Sequence, residues 1–333
     1  MQSQRPSLDA PLTIGPVTLP NRVFLAPMSG VTDAPFRARA AAAGAGMVVS
    51  EMIASGELSR SRAESARRLE RIDGVAHVVQ LAGRDADAMA EAARMAAGEG
   101  ADIIDINMGC PAKKVTGGLC GSALMRDPDH ALRLVEAVIG AVDAPVTVKM
   151  RLGWDETSLN AAELARRAEA AGVAMVTVHG RTRDQFYTGQ ADWAAIAAVK
   201  RAVSIPVVAN GDVQSHADTN AVLAASGADA VMIGRAHYGR PWLAGTISGN
   251  GEGPTDLPAF VRDHYEAMLF HYGRERGLRH ARKHLGWYLD RFAPETPEDL
   301  RQMLLTTTDP AGALRLIGRI FGAEVVGLAK EAG

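Results

Sequence analysis

Eight short runs rich in valine, isoleucine and methionine recur along the chain: VFLAPM (23–28), MVVSEM (47–52), HVVQLAG (77–83), DIIDINMG (102–109), PVTVKMR (145–151), MVTVHGR (175–181), PVVANGD (206–212) and AVMIGRA (230–236). Ala-rich amphipathic stretches separate most of them, at 85–98, 128–141, 158–171, 191–203 and 215–226. Near-continuous apolar runs alternating with helices specify parallel strands covered by helices. Eight such units fit a (β/α)8 TIM barrel, an α/β fold whose usual size is about 250 residues. An open doubly wound sheet is the competing arrangement. No GxGxxG follows the first run, and the eight units are very regular, so the barrel is the better fit. A small hairpin, LTIGPVTLPN, is expected before it, turning at Gly15-Pro16.

Each apolar run ends in a glycine or a chemically able side chain. These are Pro27-Met28, Glu51, Gln80, Asn107-Gly109-Cys110, Lys149-Arg151, His179-Arg181, Asn210-Gly211-Asp212 and Gly234-Arg235. In a barrel these ends converge on one mouth, where barrel enzymes keep their active sites.

Composition shifts near residue 245. GTISGNGEGPTDLP reads as a linker. Beyond it, 259–277, 279–292, 297–306 and 310–330 look helical, with Thr296-Pro297 and Asp309-Pro310 as helix starts. The expected organisation is a catalytic barrel over 1–247, a linker over 248–258 and a small all-helical domain over 259–333.

The formal charge of −2 gives no global attraction for polyanions, so any nucleic-acid surface must be local. Residues 274–291, RERGLRHARKHLGWYLDR, supply one: six Arg or Lys against two acids. Arg276, Arg279, His280, Lys283 and Trp287 share a helical face by spacing. The bland alternative is a solvated basic helix with Trp287 and Tyr288 in the core. A second basic stretch runs from Arg60 through Arg62, Arg67 and Arg68 to Arg71, with the same two readings. Two cysteines cannot staple a chain of this length and suit a reducing compartment. The N-terminal MQSQRPSLDAPLTIG lacks the pattern of a signal peptide, and no apolar run reaches the roughly 20 residues of a membrane span. A cytoplasmic monomer without membrane contact is expected.

Asn210, Gly211, Asp212, Gly234 and Arg235 follow the seventh and eighth strands, where barrels commonly bind phosphate. Glycines admit backbone N–H groups to an anion, and an arginine clamps it. Lys149 ends the fifth strand, positioned for a Schiff base, for phosphate, or for negative charge on a bound ring. Gln80 offers both a donor and an acceptor to a heterocycle, though taken singly such a residue is more often structural. His179 is either a donor to a ligand or a satisfied barrel histidine. No partner stands at metal-ligand spacing in the strand ends, and the cysteines form no C-x-x-C, so no metal is expected. Cys110 opens a Gly-rich loop at the catalytic face that reads as a mobile lid. A thiol there serves as a nucleophile if a base ionises it, or as a proton donor, since a free thiol is mostly protonated near neutral pH.

IDINMGCPAKKVTGGLCGSALM (104–125) resembles the signature of the tRNA-dihydrouridine synthases: Asn-x-Gly-Cys-Pro, three residues, an aliphatic, then Gly-Ser. FLAPMSGVTDAPFR, VKMRLGWD, VHGRTRDQFYTG, ANGDV and MIGRAHYGRPW are similar to further blocks of that family. The likeness spans the barrel from about residue 12 to 245 and looks closest to the bacterial B-type subgroup. It implies an FMN enzyme that uses NADPH to reduce the C5–C6 double bond of selected tRNA uridines. Ala26, Pro27 and Met28 would line the flavin, and Gln80, Lys149 and His179 would border its ring. Asn210, Gly211, Asp212, Gly234 and Arg235 would hold ribityl and phosphate. Asn107, with His179 and Arg181, would meet the uracil. Cys110 would protonate C5 while hydride reaches C6. Arg276, Arg279, Arg282 and Lys283 would contact tRNA, and Cys120 would be structural. A small-molecule FMN reductase, or an RNA-binding protein that keeps FMN as a structural element, are the competing readings.

Overall fold

A computed structural model describes residues 7–58 and 62–322. Its centre is a closed ring of eight parallel strands: β1 (Val23–Leu25), β2 (Met47–Val49), β3 (His77–Ala82), β4 (Ile103–Met108), β5 (Val146–Arg151), β6 (Met175–His179), β7 (Val207–Asn210) and β8 (Ala230–Ile233). Each strand pairs with the next, and β8 returns to β1 through Val231↔Val23 and Met232↔Phe24. β1 is bonded in turn to β2, and β2 to β3 through Val48↔His77, so no edge remains open.

The sequence runs look uniformly apolar because the two strand faces meet two different cores. One parity (Val23, Leu25, Val48, Ile104, Ile106, Val148, Val176) packs outward against the helices. The other (Phe24, Met47, Val49, Val78, Ile103, Met175, Val208, Met232) fills the interior. The predicted hairpin pairs Leu12–Ile14 with Val17–Leu19, and its Ile14 and Leu19 are buried in that interior cluster. Inward positions near the strands' C-terminal ends are polar: Gln80, Asp105, Asn107, Lys149 and His179. Interior packing is therefore apolar at the closed end and chemical at the mouth.

The tail consists of α1 (Leu257–Tyr272), α2 (Arg274–Phe292), α3 (Glu298–Thr306) and α4 (Pro310–Gly322), around Val261, Tyr265, Met268, Leu285, Tyr288, Ile317 and Phe321. Three expected boundaries shift. A helix over Leu243–Ser248 carries the barrel past 247, and Asp256 caps α1, so the linker is shorter than 248–258. The break between the first two tail helices falls at Gly273, not at 278. Gly273 has φ 76°, which glycine adopts without cost, whereas Gly277 lies inside α2. A Cβ at Gly277 would stand 2.7 Å from Leu269 Cα, so its absence lets α2 close on α1. The final expected helix, 310–330, is described to Gly322, and its remainder lies outside the described residues, as does Arg60.

The two domains meet through specific contacts. Trp287 stacks on Tyr238 of the β8 loop at 3.9 Å, and the Tyr272 hydroxyl donates to Asp33 Oδ2 at 3.0 Å. Phe36 packs its ring on His264 and His284. No helix among the described residues is long and apolar enough to cross a membrane.

Burial makes this interior sensitive to acid. His237, His264 and His284 are all enclosed; burial lowers His237 to about 4 and holds the other two well below 6.5. They stay neutral in the fold but take up protons near pH 6.5 once unfolded, so stability is full above that pH and is lost as pH falls towards about 4. Asp33 and Asp105, raised to about 6 by burial, act in the opposite direction below that value. The imidazoles outnumber them, so the urea midpoint should fall between about pH 7.5 and about pH 5. A flat profile would show that the imidazoles accept protons without cost.

Candidate active site

A cavity of about 720 Å³ opens at the strands' C-terminal ends. Every barrel residue expected at a ligand lines it, from Ala26, Pro27 and Met28 to Gly234 and Arg235, except Arg181. Arg291 of α2 reaches the same cavity, so the helical domain contributes to its rim.

One wall is a chain of hydrogen bonds. Gln80 Nε2 donates to Asp105 Oδ2 at 2.7 Å, and Asn107 Nδ2 donates to Gln80 Oε1 at 2.8 Å. Asn107 Oδ1 accepts from the backbone N–H groups of Gly109 at 3.2 Å and Cys110 at 3.0 Å. Asn107, expected to meet the uracil, commits its oxygen to the loop carrying Cys110, and among the described residues one of its N–H groups has no protein partner. The Cys110 carbonyl accepts from Ser122 N and Oγ at 3.1 and 2.9 Å. Main-chain anchors thus hold Cys110 at both its nitrogen and its oxygen, and the loop continues through a helical turn at Lys113–Thr116. The expected lid is pinned at its catalytic end. Cys110 and Cys120 are both free thiols.

Lys149 is half-buried in the cavity wall, and desolvation together with nearby Arg151 lowers its pKa to about 8. Its Nζ donates to Asn210 Oδ1 at 3.1 Å, while Asn210 Nδ2 donates to the Met232 carbonyl at 2.7 Å. Burial and four surrounding cations, Lys149, Arg151, Arg181 and Arg235, hold His179 well below 6.5, so it is neutral. The Arg181 guanidinium can only donate, so His179 Nε2, 3.2 Å away, is the acceptor and Nδ1 carries the proton.

Arg181 is 1% exposed and does not reach the cavity. Its five N–H donors are spent on both oxygens of Asp212 (2.9 and 2.6 Å), the Thr188 and Gly189 carbonyls and His179. It braces the Asp212 turn, where Gly211 and Asp212 both have positive φ (119° and 56°). A Cβ on Gly211 would meet His179 Cδ2 at 2.9 Å. Arg235 is half-exposed beside this turn, with its guanidinium 4.7 Å from the Tyr187 ring.

Three site residues were not assigned from sequence. Asp105 shares inward parity with Asn107, a signal that the period-2 pattern of IDIN carries. Arg151 joins the two loops flanking the cavity, donating to Gly109 O at 2.8 Å, Thr182 O at 2.7 Å and Phe186 O at 2.8 Å. Tyr187, 50% exposed, follows Phe186, whose φ of 49° makes a turn that no hydropathy pattern announces.

The tail cations divide. Arg276 and Arg279 are exposed and line a second cavity of about 320 Å³ between the domains, beside Arg67, Arg68 and Tyr272. Arg282 faces away, donating to Thr306 O at 3.3 Å. Lys283 is half-buried against Gly30, with Asp33 and Glu51 nearby. Trp287 belongs to the interdomain stack. Arg71 lies at the other end of the barrel, paired with Asp102 at 3.1 Å.

Residues 24–321 match the family model described as dihydrouridine synthase (Dus). A probable tRNA-dihydrouridine synthase of Rhizobium leguminosarum bv. phaseoli is 60% identical over 87% of this chain and 92% of its own length. The tRNA-dihydrouridine synthase B of Xanthomonas campestris pv. campestris is 46% identical over 95% of this chain and 98% of its own. Among solved structures, a morphinone reductase aligns with TM-score 0.56 at 17% identity, covering 78% of this chain and 94% of that one, and shows likeness of fold alone. With its barrel, its cysteine loop and this match over nearly the whole length, the chain belongs to the dihydrouridine synthase family.

Proposed function

We propose that this protein reduces the C5–C6 double bond of specific tRNA uridines to 5,6-dihydrouridine, using FMN and NADPH. The observation that carries this reading is a thiol, Cys110, held by its main chain on the rim of a polar cavity whose depth carries the half-buried cation Lys149. The cavity fits FMN: it has room for a tricyclic ring, amides at Gln80 and Asn107, and cations at Lys149, Arg235 and Arg291 for anionic edges. Ala26, Pro27 and Met28 would lie along the ring, and Asn210, Gly211, Asp212, Gly234 and Arg235 along the ribityl phosphate. When bound, FMN recharged by NADPH supplies the hydride that uracil C6 receives.

The chain's own groups do the rest. Lys149 places positive charge where a low-dielectric cavity makes it count most. Neutral His179 presents a fixed tautomer rather than another cation. Cys110 gives its proton to C5, completing a two-electron reduction as general acid. The uridine must leave its stack to reach the cavity, and the exposed Arg276 and Arg279 beside the mouth offer charge to flanking phosphates.

Two measurements test this. The purified protein should bind FMN, giving yellow absorbance that NADPH bleaches and that unmodified tRNA restores; absence of FMN binding would overturn the site. Replacing Arg276 and Arg279 together by Gln should weaken tRNA binding by about tenfold or more and flatten its salt dependence by roughly one to two units of slope. Unchanged binding would return that face of α2 to solvent.

A further inference from the structure

Asp105 stands at the centre of the barrel, 5% exposed, and the proposed chemistry does not use it. Its oxygens accept from Gln80 Nε2 at 2.7 Å and from Thr147 Oγ1 at 2.6 Å. We propose that Asp105 is a positioning residue that sets the donor–acceptor polarity of the amide chain ending at Cys110. A carboxylate accepts and cannot donate, so Gln80 must turn its NH2 towards Asp105 and its Oε1 away. That oxygen can then take only the NH2 of Asn107, which turns Asn107 Oδ1 to the N–H groups of Gly109 and Cys110.

Each amide has nearly the same shape either way round, so shape alone does not choose. Reversed, Asn107 would point its NH2 at two backbone donors, and the start of the Cys110 loop would lose its anchor. The same polarity decides whether Gln80 and Asn107 offer donors or acceptors to a heterocycle in the cavity. This deepens the proposed reduction and rests on it for any effect on turnover; the anchoring of Cys110 stands independently.

Thr147 makes the idea separable from simple structural loss, because a hydroxyl can accept as well as donate. In Asp105→Asn, the new amide keeps its carbonyl towards Gln80 while Thr147 accepts from its NH2, so polarity survives. In Thr147→Val, Asp105 remains and polarity survives. In the double variant the choice made at the Asp105 end is lost, and only the Gly109 and Cys110 N–H groups at the far end of the chain still favour this direction. The readouts are the rate at which iodoacetamide alkylates Cys110 in a Cys120→Ser background, and kcat and KM for dihydrouridine formation. Each single variant should stay within about threefold of its parent, whereas the double should change alkylation by about tenfold and lower kcat about tenfold, with KM for tRNA unchanged. Effects that simply multiply, or Asp105→Asn alone as damaging as the double, would overturn the proposal. Should the double variant not fold, Gln80→Met cuts the same chain and should reproduce the alkylation change; an unaltered rate there overturns it equally. If the parent protein makes no dihydrouridine, the functional reading fails, and the alkylation cycle still decides the polarity.

Discussion

Cys110→Ala should lower the rate of dihydrouridine formation by about 10²- to 10⁴-fold, the usual worth of a positioned general acid. FMN and tRNA binding should be unchanged, because the substitution removes a side chain from a loop held by its main chain. The Cys110 N–H donates to Asn107, its carbonyl takes two bonds from Ser122, and neither involves sulfur. A loss of activity therefore cannot be blamed on a collapsed loop. Cys120→Ala, whose thiol donates only to the Gly118 carbonyl at 3.3 Å, should retain activity within about twofold. Wild-type rates in Cys110→Ala would remove the thiol from the chemistry and leave the proton to water.

Asp212→Ala should destabilise the protein by about 3–5 kcal/mol, since it strands a buried guanidinium. Arg181 would keep its charge among Lys149, Arg151 and Arg235 while losing both carboxylate bonds. Adding Arg181→Met should recover much of the loss. An ion pair with a buried cation replaced by apolar atoms is often near neutral, and the Thr188 and Gly189 carbonyls belong to exposed residues that water reaches. The comparison is read by urea unfolding of the protein without added FMN. If the double variant is as unstable as Asp212→Ala, Arg181 matters as a loop brace rather than as a charge to be neutralised.

The barrel was legible because its strands are apolar on both faces, and because polar residues gather at one end of each run. The parity that separates Ile104 and Ile106 from Asp105 and Asn107 was also present, yet Asp105 drew no role beside the motif residues around it. Arg181 shows a different limit. Its strand-end position suggests a contact with the uracil, but the folded turn at Gly211-Asp212 brings in the carboxylate that occupies it. Tail boundaries went astray at Gly277, where close helix packing rather than a turn explains the glycine. In the same helix, spacing grouped Trp287 with the arginines, but Tyr238, remote in sequence, claims it for the domain contact. What pattern cannot carry in each case is the identity of a partner from another element.

The central claim is the reduction itself. The protein, supplied with FMN and NADPH, should be incubated with an unmodified tRNA mixture and the RNA digested and weighed by mass spectrometry. The account predicts a gain of two hydrogens on particular uridines, dependent on FMN and absent with Cys110→Ala. An FMN-loaded protein that oxidises NADPH yet leaves every uridine at its original mass would contradict it.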